Sequence, residues 1–280
     1  MDKLIINPVG GLANRMRAIA SGLTLCRDYG CRDYGIAWPV NNDLRCDIGE
    51  LFDTNEYLHS AFNVSAANEL WFYDIPRKKN LYLSSIAQVG RYGCKLTDWD
   101  NLPEYEGEPR RLLRELEKCK GTVLIRSGVI FYPFEEDFYR AVFKPRASII
   151  SEAEKRLAVA GGGCVGLHIR RTDNVVSIEH SPLSLFIDAI GKELERDSST
   201  VFYLATDDAG VKAELVDRFG AARFICTDKK VVRDTPEGIR EALTEIVALS
   251  KCARVYGSYW SSFSEAAAML GGIPLIQLKK

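Results

Sequence analysis

The chain has 280 residues, 46 % of them hydrophobic and 27 % charged, with a formal net charge of -1. That length suits one large or two modest domains with their own cores, and the near-neutral charge excludes a broad basic face for nucleic acid, so any anion recognition has to be local. The 8 cysteines form no CxxC pair and have only 3 histidines beside them, which argues against structural zinc and a disulfide framework and makes most of them small core residues.

The start, MDKLIINPVGG, lacks a basic segment followed by a long apolar core, and no later run approaches the roughly 20 apolar residues of a spanning helix. A cytoplasmic protein without a transmembrane segment is expected, and peripheral attachment to the inner face of a membrane is compatible with this. LIINP after Lys3 reads as a strand. The glycine turn at Gly10 and Gly11 then opens a helix whose Leu12, Met16, Ile19, Leu23 and Cys26 recur at spacings of three and four. The tandem CRDYGCRDYG, residues 26–35, has too few copies for a solenoid and is expected to be a helix end plus turn, with Gly30 and Gly35 as breakers. IAWP at 36–39 is a second strand.

Residues 53–121 show no clear period and are expected to include irregular loops. TVLIRSG at 122–128 is a strand, and FYPFEEDFYRAVFKPRAS reads as a connection with a hinge at Pro145. Beyond it strands and helices alternate. A helix near 151–160 stops at Gly161–Gly163, and the strand CVGLHIR follows. Ser181 and Pro182 are predicted to start a helix to Arg196. TVFYLAT, ARFICT, ARVYGS and IPLIQL are further strands, separated by helices near 210–219, from Pro236, and over SSFSEAAAML. The pattern predicts an α/β chain of two units, 1–145 and 146–280, the second a doubly wound parallel sheet. Ligands of such sheets sit at the carboxyl ends of the strands, and two edges facing each other would make a cleft.

Four polar segments fall at strand exits: GGLANRMR (10–17), HIRRTDN (168–174), ATDD (205–208) and GSYWSSFSE (257–265). GGLANRMR matches neither GxxxxGK[ST] nor GxGxxG. It places Asn14, Arg15 and Arg17 in the first helical turns, where at most one of the arginines can face a ligand beside Asn14. Adjacent arginines on a strand point to opposite faces, so one can reach a ligand while the other binds the scaffold; Arg170 is the first candidate phosphate contact and Arg171 the second, against the alternative of an ion pair with Asp173. His168 reads as a structural strand residue. Asp207 and Asp208 either cap a helix or accept from a base or ribose. Ser262 to Glu265 fit an S-x-x-E capping box, or the helix start seats a phosphate. From its helical position alone, Glu245 is a solvated charge. No metal-ligand set can be assembled.

Together HIRRTDN, FYLATDD and SSFSE resemble the GDP-fucose-dependent fucosyltransferases, above all the α-1,6 and nodulation group. GGLANRMR is similar to the N-terminal motif of the α-1,2 and protein O-fucosyltransferases. The resemblance implies a GT-B architecture, two Rossmann-like doubly wound domains facing a cleft, and an inverting, metal-independent transfer of fucose from GDP-fucose to a hydroxyl of a glycan or lipid-linked saccharide. It makes 146–280 the donor-binding domain and 1–145 the acceptor side. It implies no cofactor beyond the donor substrate. Arg170 would bind the diphosphate with Arg171 in support, alongside His168 and Asp173 of the same motif. Asp207, Asp208 and Glu245 would lie near the nucleoside, Ser261 and Ser262 near the phosphates, and Asn14 and Arg15 at the N-terminal motif. Glu179 is the implied general base, with His180 as the alternative. Another nucleotide sugar, or a binding protein without turnover, are the rival readings.

Overall fold

The computed structural model describes residues 1–72, 86–98, 101–102, 107–160, 163–172, 175–227 and 231–280. It divides into two compact units, Met1–Lys144 with Arg233–Pro236, and Pro145–Val232 with Glu237–Lys280. Each is built on its own five-stranded parallel sheet among the described residues.

In the first unit β1 (Lys3–Pro8), β2 (Asp33–Pro39), β3 (Ala61–Val64), β4 (Cys94–Thr97) and β5 (Thr122–Ser127) run in the order β3-β2-β1-β5-β4. Helix α1 (Leu12–Tyr29) packs on this sheet through the predicted stripe, with Met16 and Ile19 wholly buried. The fit is close enough that a Cβ on Gly22 would lie 2.5 Å from Ile6 Cδ1. The unit also holds helices α2 (Pro109–Lys118) and α3 (Glu136–Val142). The two copies of CRDYG part company here. Gly30 ends α1 in the left-handed conformation at φ 78°, whereas Gly35 lies inside β2, paired with Ile5, and breaks nothing. Identical pentapeptides adopt different states because only the second finds a sheet edge to join.

The second unit opens with α4 (Ala147–Leu157) and β6 (Val165–Ile169), then α5 (Val175–His180), α6 (Leu183–Arg196), β7 (Phe202–Thr206) and α7 (Ala209–Phe219). It closes with β8 (Phe224–Ile225), α8 (Pro236–Ser250), β9 (Val255–Ser258), α9 (Ser262–Gly271) and β10 (Leu275–Leu278). The order β10-β9-β6-β7-β8 winds outward from β6 to one edge, then from β9 to the other, which is the doubly wound arrangement expected. Leu167, Ile169, Phe186, Ile190, Phe202 and Leu204 form the centre of one face of its core.

Several expectations need correction. The segment read as a connection around 131–148 contains α3 and the start of α4. Pro182, not Ser181, is the N-cap of α6. Four cysteines, Cys26, Cys46, Cys164 and Cys252, are buried, and the other four are only half-buried. The Cys164 and Cys252 sulfurs lie 3.3 Å apart. The expected stop at Gly161–Gly162 falls outside the described residues.

Candidate functional site

The point where the second sheet reverses direction, between β6 and β9, is where open parallel sheets seat ligands. His168 lies there on β6, 5 % exposed, with its ring stacked on Phe263 at 4.7 Å between centroids. Burial, then the Arg170 charge, push its imidazole down to about 3 in spite of Asp207. The ring is therefore neutral at physiological pH, a packing group as its strand position suggested.

Asp207, at the exit of β7, organises the segment that leaves β6. Its Oδ1 accepts the Arg171 amide at 2.7 Å, while Oδ2 accepts the Thr172 hydroxyl at 2.7 Å and the Thr172 amide at 3.3 Å. Arg170 Nη1 stands 3.2 Å from the same Oδ2. Burial alone would push this carboxyl up, but the Thr172 hydroxyl, the Arg170 charge and the two amides hold it below its ordinary value. Arg171 turns to the scaffold, donating from Nη2 to the Ser181 carbonyl at 2.7 Å. Asp208 is the N-cap of α7, accepting from the Gly210 and Val211 amides at 2.7 and 3.2 Å. The ion-pair partner considered for the arginines, Asp173, lies outside the described residues, and Asp207 takes that position beside Arg170.

The exit of β9 lies next to this turn, and Ser258 joins the two, its Oγ accepting the Arg170 amide at 3.0 Å. Ser261 is the N-cap of α9, but its side chain makes no capping hydrogen bond. The S-x-x-E box does not form: the helix starts one residue earlier than the box needs, and Glu265 Oε1 accepts from Gln277 Nε2 at 3.2 Å. With Ser261 and Ser262 at its start, α9 presents amides and a partial positive charge beside the strand that carries Arg170. Gly257 sets this closeness, since a Cβ there would lie 2.5 Å from Ser264 Oγ.

Helix α5 carries Glu179 and His180, both exposed. It is tied to the β9 exit by Ser177, whose Oγ donates to the Tyr259 carbonyl at 2.7 Å. Ser181 Oγ in turn accepts the Tyr259 amide at 2.7 Å. Sequence reasoning missed Ser177, Ser181 and Ser258. The short polar residues beside HIRRTDN and in GSYW were the only signal.

Glu245 on α8 is 6 % exposed, which corrects the solvated reading. Burial first, then the Glu241 and Asp207 charges, raise its carboxyl to about 8, and Arg156 only partly opposes them. Arg156 is already engaged by both Glu241 oxygens at 2.6 and 2.8 Å.

In the first unit, the turn after β1 has Gly10 at φ 78°, with the Asn14 amide 3.0 Å from where a Cβ would stand. Arg15 is wholly buried. It donates to the Gly10 carbonyl at 2.8 Å, to the Pro39 carbonyl, and to Asn41 Oδ1 at 3.1 Å. Its guanidinium thus fastens the glycine turn from beneath. Arg17 is bound as well, its Nε donating to the Gly128 carbonyl at 2.9 Å. Arg126 and Asn7, joined at 2.6 Å, form a buried polar pair on neighbouring strands that the sequence did not reveal.

Among the described residues no three potential ligands gather for a metal, and no helix is long and apolar enough to cross a membrane. No family model and no curated protein matches the sequence. Solved structures do match. A NodZ α-1,6-fucosyltransferase, in a crystal soaked with GDP-fucose, aligns over 99 % of this chain and 94 % of its own, with 17 % identity and a TM-score of 0.63. The selenomethionine structure of fucosyltransferase NodZ from Bradyrhizobium gives these same values. POFUT1 in complex with GDP-fucose aligns over 99 % and 98 %, with 9 % identity and a TM-score of 0.56. The chain therefore has a fucosyltransferase-like, two-domain α/β fold.

Proposed function

We propose that the protein is an inverting, metal-independent glycosyltransferase that moves fucose from GDP-fucose to a hydroxyl of a glycan or lipid-linked saccharide. The observation that carries this reading is the union of a cation and an uncapped helix start on adjacent strands. Arg170 is aimed by Asp207 and anchored through its amide to Ser258, three residues before the N-cap of α9. Such a site suits a diphosphate, and the likeness to structures solved with GDP-fucose supports which one.

In the reaction the acceptor oxygen attacks the anomeric carbon as the bond from that carbon to the phosphate oxygen breaks and GDP leaves. Positive charge develops on the sugar and negative charge on the diphosphate. Arg170 and the α9 amides stabilise the latter, an effect of roughly 3–4 kcal/mol for one preorganised donor. Glu179, with His180 as its alternative, takes the acceptor proton. Arg171 and Asp208 act through the scaffold, Glu245 faces the nucleoside, and 1–145 supplies the acceptor side with Asn14 at its glycine turn. In this reading the enzyme works in the cytoplasm.

The test is binding and slow hydrolysis of GDP-fucose against UDP- and other GDP-sugars, with EDTA present, for wild type and Arg170→Ala. Selective binding that Arg170→Ala weakens is expected. Indifference to GDP-fucose would sink the fucosyltransferase reading.

A further inference from the structure

Trp260, in the turn from β9 to α9, is the only residue other than glycine among those described with a left-handed backbone, at φ 58°. Its indole is nevertheless 66 % exposed. A bulky L residue adopts this conformation at a cost, and asparagine or glycine would make the same turn more easily. Core burial is not what the protein gains in return.

The turn is fixed on both sides. Tyr259 has its amide and carbonyl held by Ser181 and Ser177, each at 2.7 Å. Its ring meets His180 edge-on at 5.4 Å and lies 4.9 Å from Lys279 Nζ. On the other side Ser261 and Ser262 begin α9. Strain held in place by surrounding structure, next to a ligand seat, points to a use for the side chain.

Sheet order, together with the nucleoside end proposed above, says which part of a ligand it would meet. Glu245 acts on the Tyr203 phenol of β7, and Asp207 at the exit of β7 acts on Glu245, whereas Trp260 follows β9 on the other side of β6. With the nucleoside at Glu245, as the proposed function has it, a diphosphate seated at Arg170 and the α9 start has its glycosyl ester toward Trp260.

We propose that the Trp260 indole is a stacking platform for the hexosyl ring of a nucleoside-diphosphate sugar, its electron-rich face meeting the C–H face of the pyranose. This rests on the nucleotide-sugar reading of the site but not on guanosine or fucose. It makes Trp260 a determinant of sugar affinity, separate from the residues that hold the diphosphate.

The experiment is calorimetric titration of wild type, Trp260→Asn and Trp260→Phe with GDP, GDP-fucose, GDP-mannose, UDP and UDP-glucose, with a thermal melt of each protein. Trp260→Asn is expected to melt at or above the wild-type temperature and to bind the nucleoside diphosphate unchanged. It should bind the matching sugar nucleotide roughly two- to ten-fold more weakly, and Trp260→Phe should restore most of that loss. Equal losses for diphosphate and sugar nucleotide, or no loss for either, would overturn the proposal. If wild type binds the UDP pair and not the GDP compounds, the GDP-fucose reading fails while the same comparison still tests Trp260. A wild type that binds none of the five overturns both.

Discussion

The Asp207 carboxylate accepts the Arg171 backbone amide at 2.7 Å, so the exit of β7 dictates the path of the chain that leaves β6. Its other oxygen collects the Thr172 hydroxyl and one end of the Arg170 guanidinium. One carboxylate thereby shapes the turn and aims the cation. The second arginine is tied to the Ser181 carbonyl. The two adjacent arginines thus part, Arg170 to the Asp207 carboxylate and Arg171 to the Ser181 carbonyl.

Asp207→Ala removes acceptors from two amides, a hydroxyl and a guanidinium in a site only 18 % exposed at this side chain. Stability should fall by roughly 1–3 kcal/mol, and nucleotide affinity should fall at least as far as in Arg170→Ala. The folded carboxyl titrates below its unfolded value of 3.8. Its contribution is therefore present above that pH and lost as pH falls through the folded pKa. Acid unfolding of wild type and Asp207→Asn reads this directly. If the two lose stability alike below about pH 4, the carboxylate is not the clamp described.

Two glycines give opposite predictions. Gly257→Ala places a methyl 2.5 Å from Ser264 Oγ and 2.7 Å from Ser264 Cβ, so α9 must shift away from β9. A loss of roughly 1–3 kcal/mol is expected, together with weaker nucleotide binding because the helix start moves. Gly191 on α6 has nothing within 4 Å of such a methyl. Gly191→Ala should raise stability by roughly 0.5–1 kcal/mol and leave binding alone. Denaturant melts of both variants decide the matter. A neutral Gly257→Ala would mean that α9 is not held where the contact distances put it.

The alternation of strands and helices after residue 150 was legible because apolar runs and glycine stops coincide there with element ends. β3, β4 and α2 were not, since short strands such as Ala61–Val64 draw their order from neighbours distant in sequence. Of the site, the strand-exit segments announced themselves through charge that a buried strand would otherwise not carry. Strand periodicity said that Arg170 and Arg171 part, and the Ser181 carbonyl shows that Arg171 is the one turned to the scaffold. Glu245 was misread as solvated because α8 is buried on nearly every side, from Gly238 to Leu249, and periodicity cannot identify the polar member of such a helix. The serines that pin Tyr259 act through backbone groups, which leave no pattern in side-chain type.

His168 supplies an acid-side signature. Its folded imidazole is pushed down to about 3 from 6.5 by burial and by Arg170. The unfolded chain takes up a proton below pH 6.5 that the folded chain refuses, so the stability present above that pH is lost as pH falls toward about 3. The slope is about 1.4 kcal/mol per pH unit. His168→Phe, which keeps a ring against Phe263, should flatten the wild-type decline between pH 6 and 4, the window that these pKa values bracket. A proton resonance assigned to His168 by its loss in His168→Phe, titrating near the ordinary histidine value, would show that the ring is not buried as found.

Glu245 gives the opposite signature, and function should turn it around. Its carboxyl, raised to about 8 by burial and by Glu241 and Asp207, stays protonated in the folded chain where the unfolded chain has already ionised at 4.5. The associated stability is complete below 4.5 and is lost as pH rises through about 8, at about 1.4 kcal/mol per unit. Glu245→Gln, uncharged throughout, should remove this decline in urea melts from pH 5.5 to 8.5, the range below and through that value. A purine edge that donates N–H groups favours the ionised carboxylate, so GDP binding by wild type should release a proton and tighten as pH rises toward about 8. Stability and nucleotide affinity then move in opposite directions with pH through one side chain. Titrations in two buffers of different ionisation enthalpy count the released proton. GDP binding with no proton release, and the same pH dependence in Glu245→Gln, would remove Glu245 from the nucleoside site.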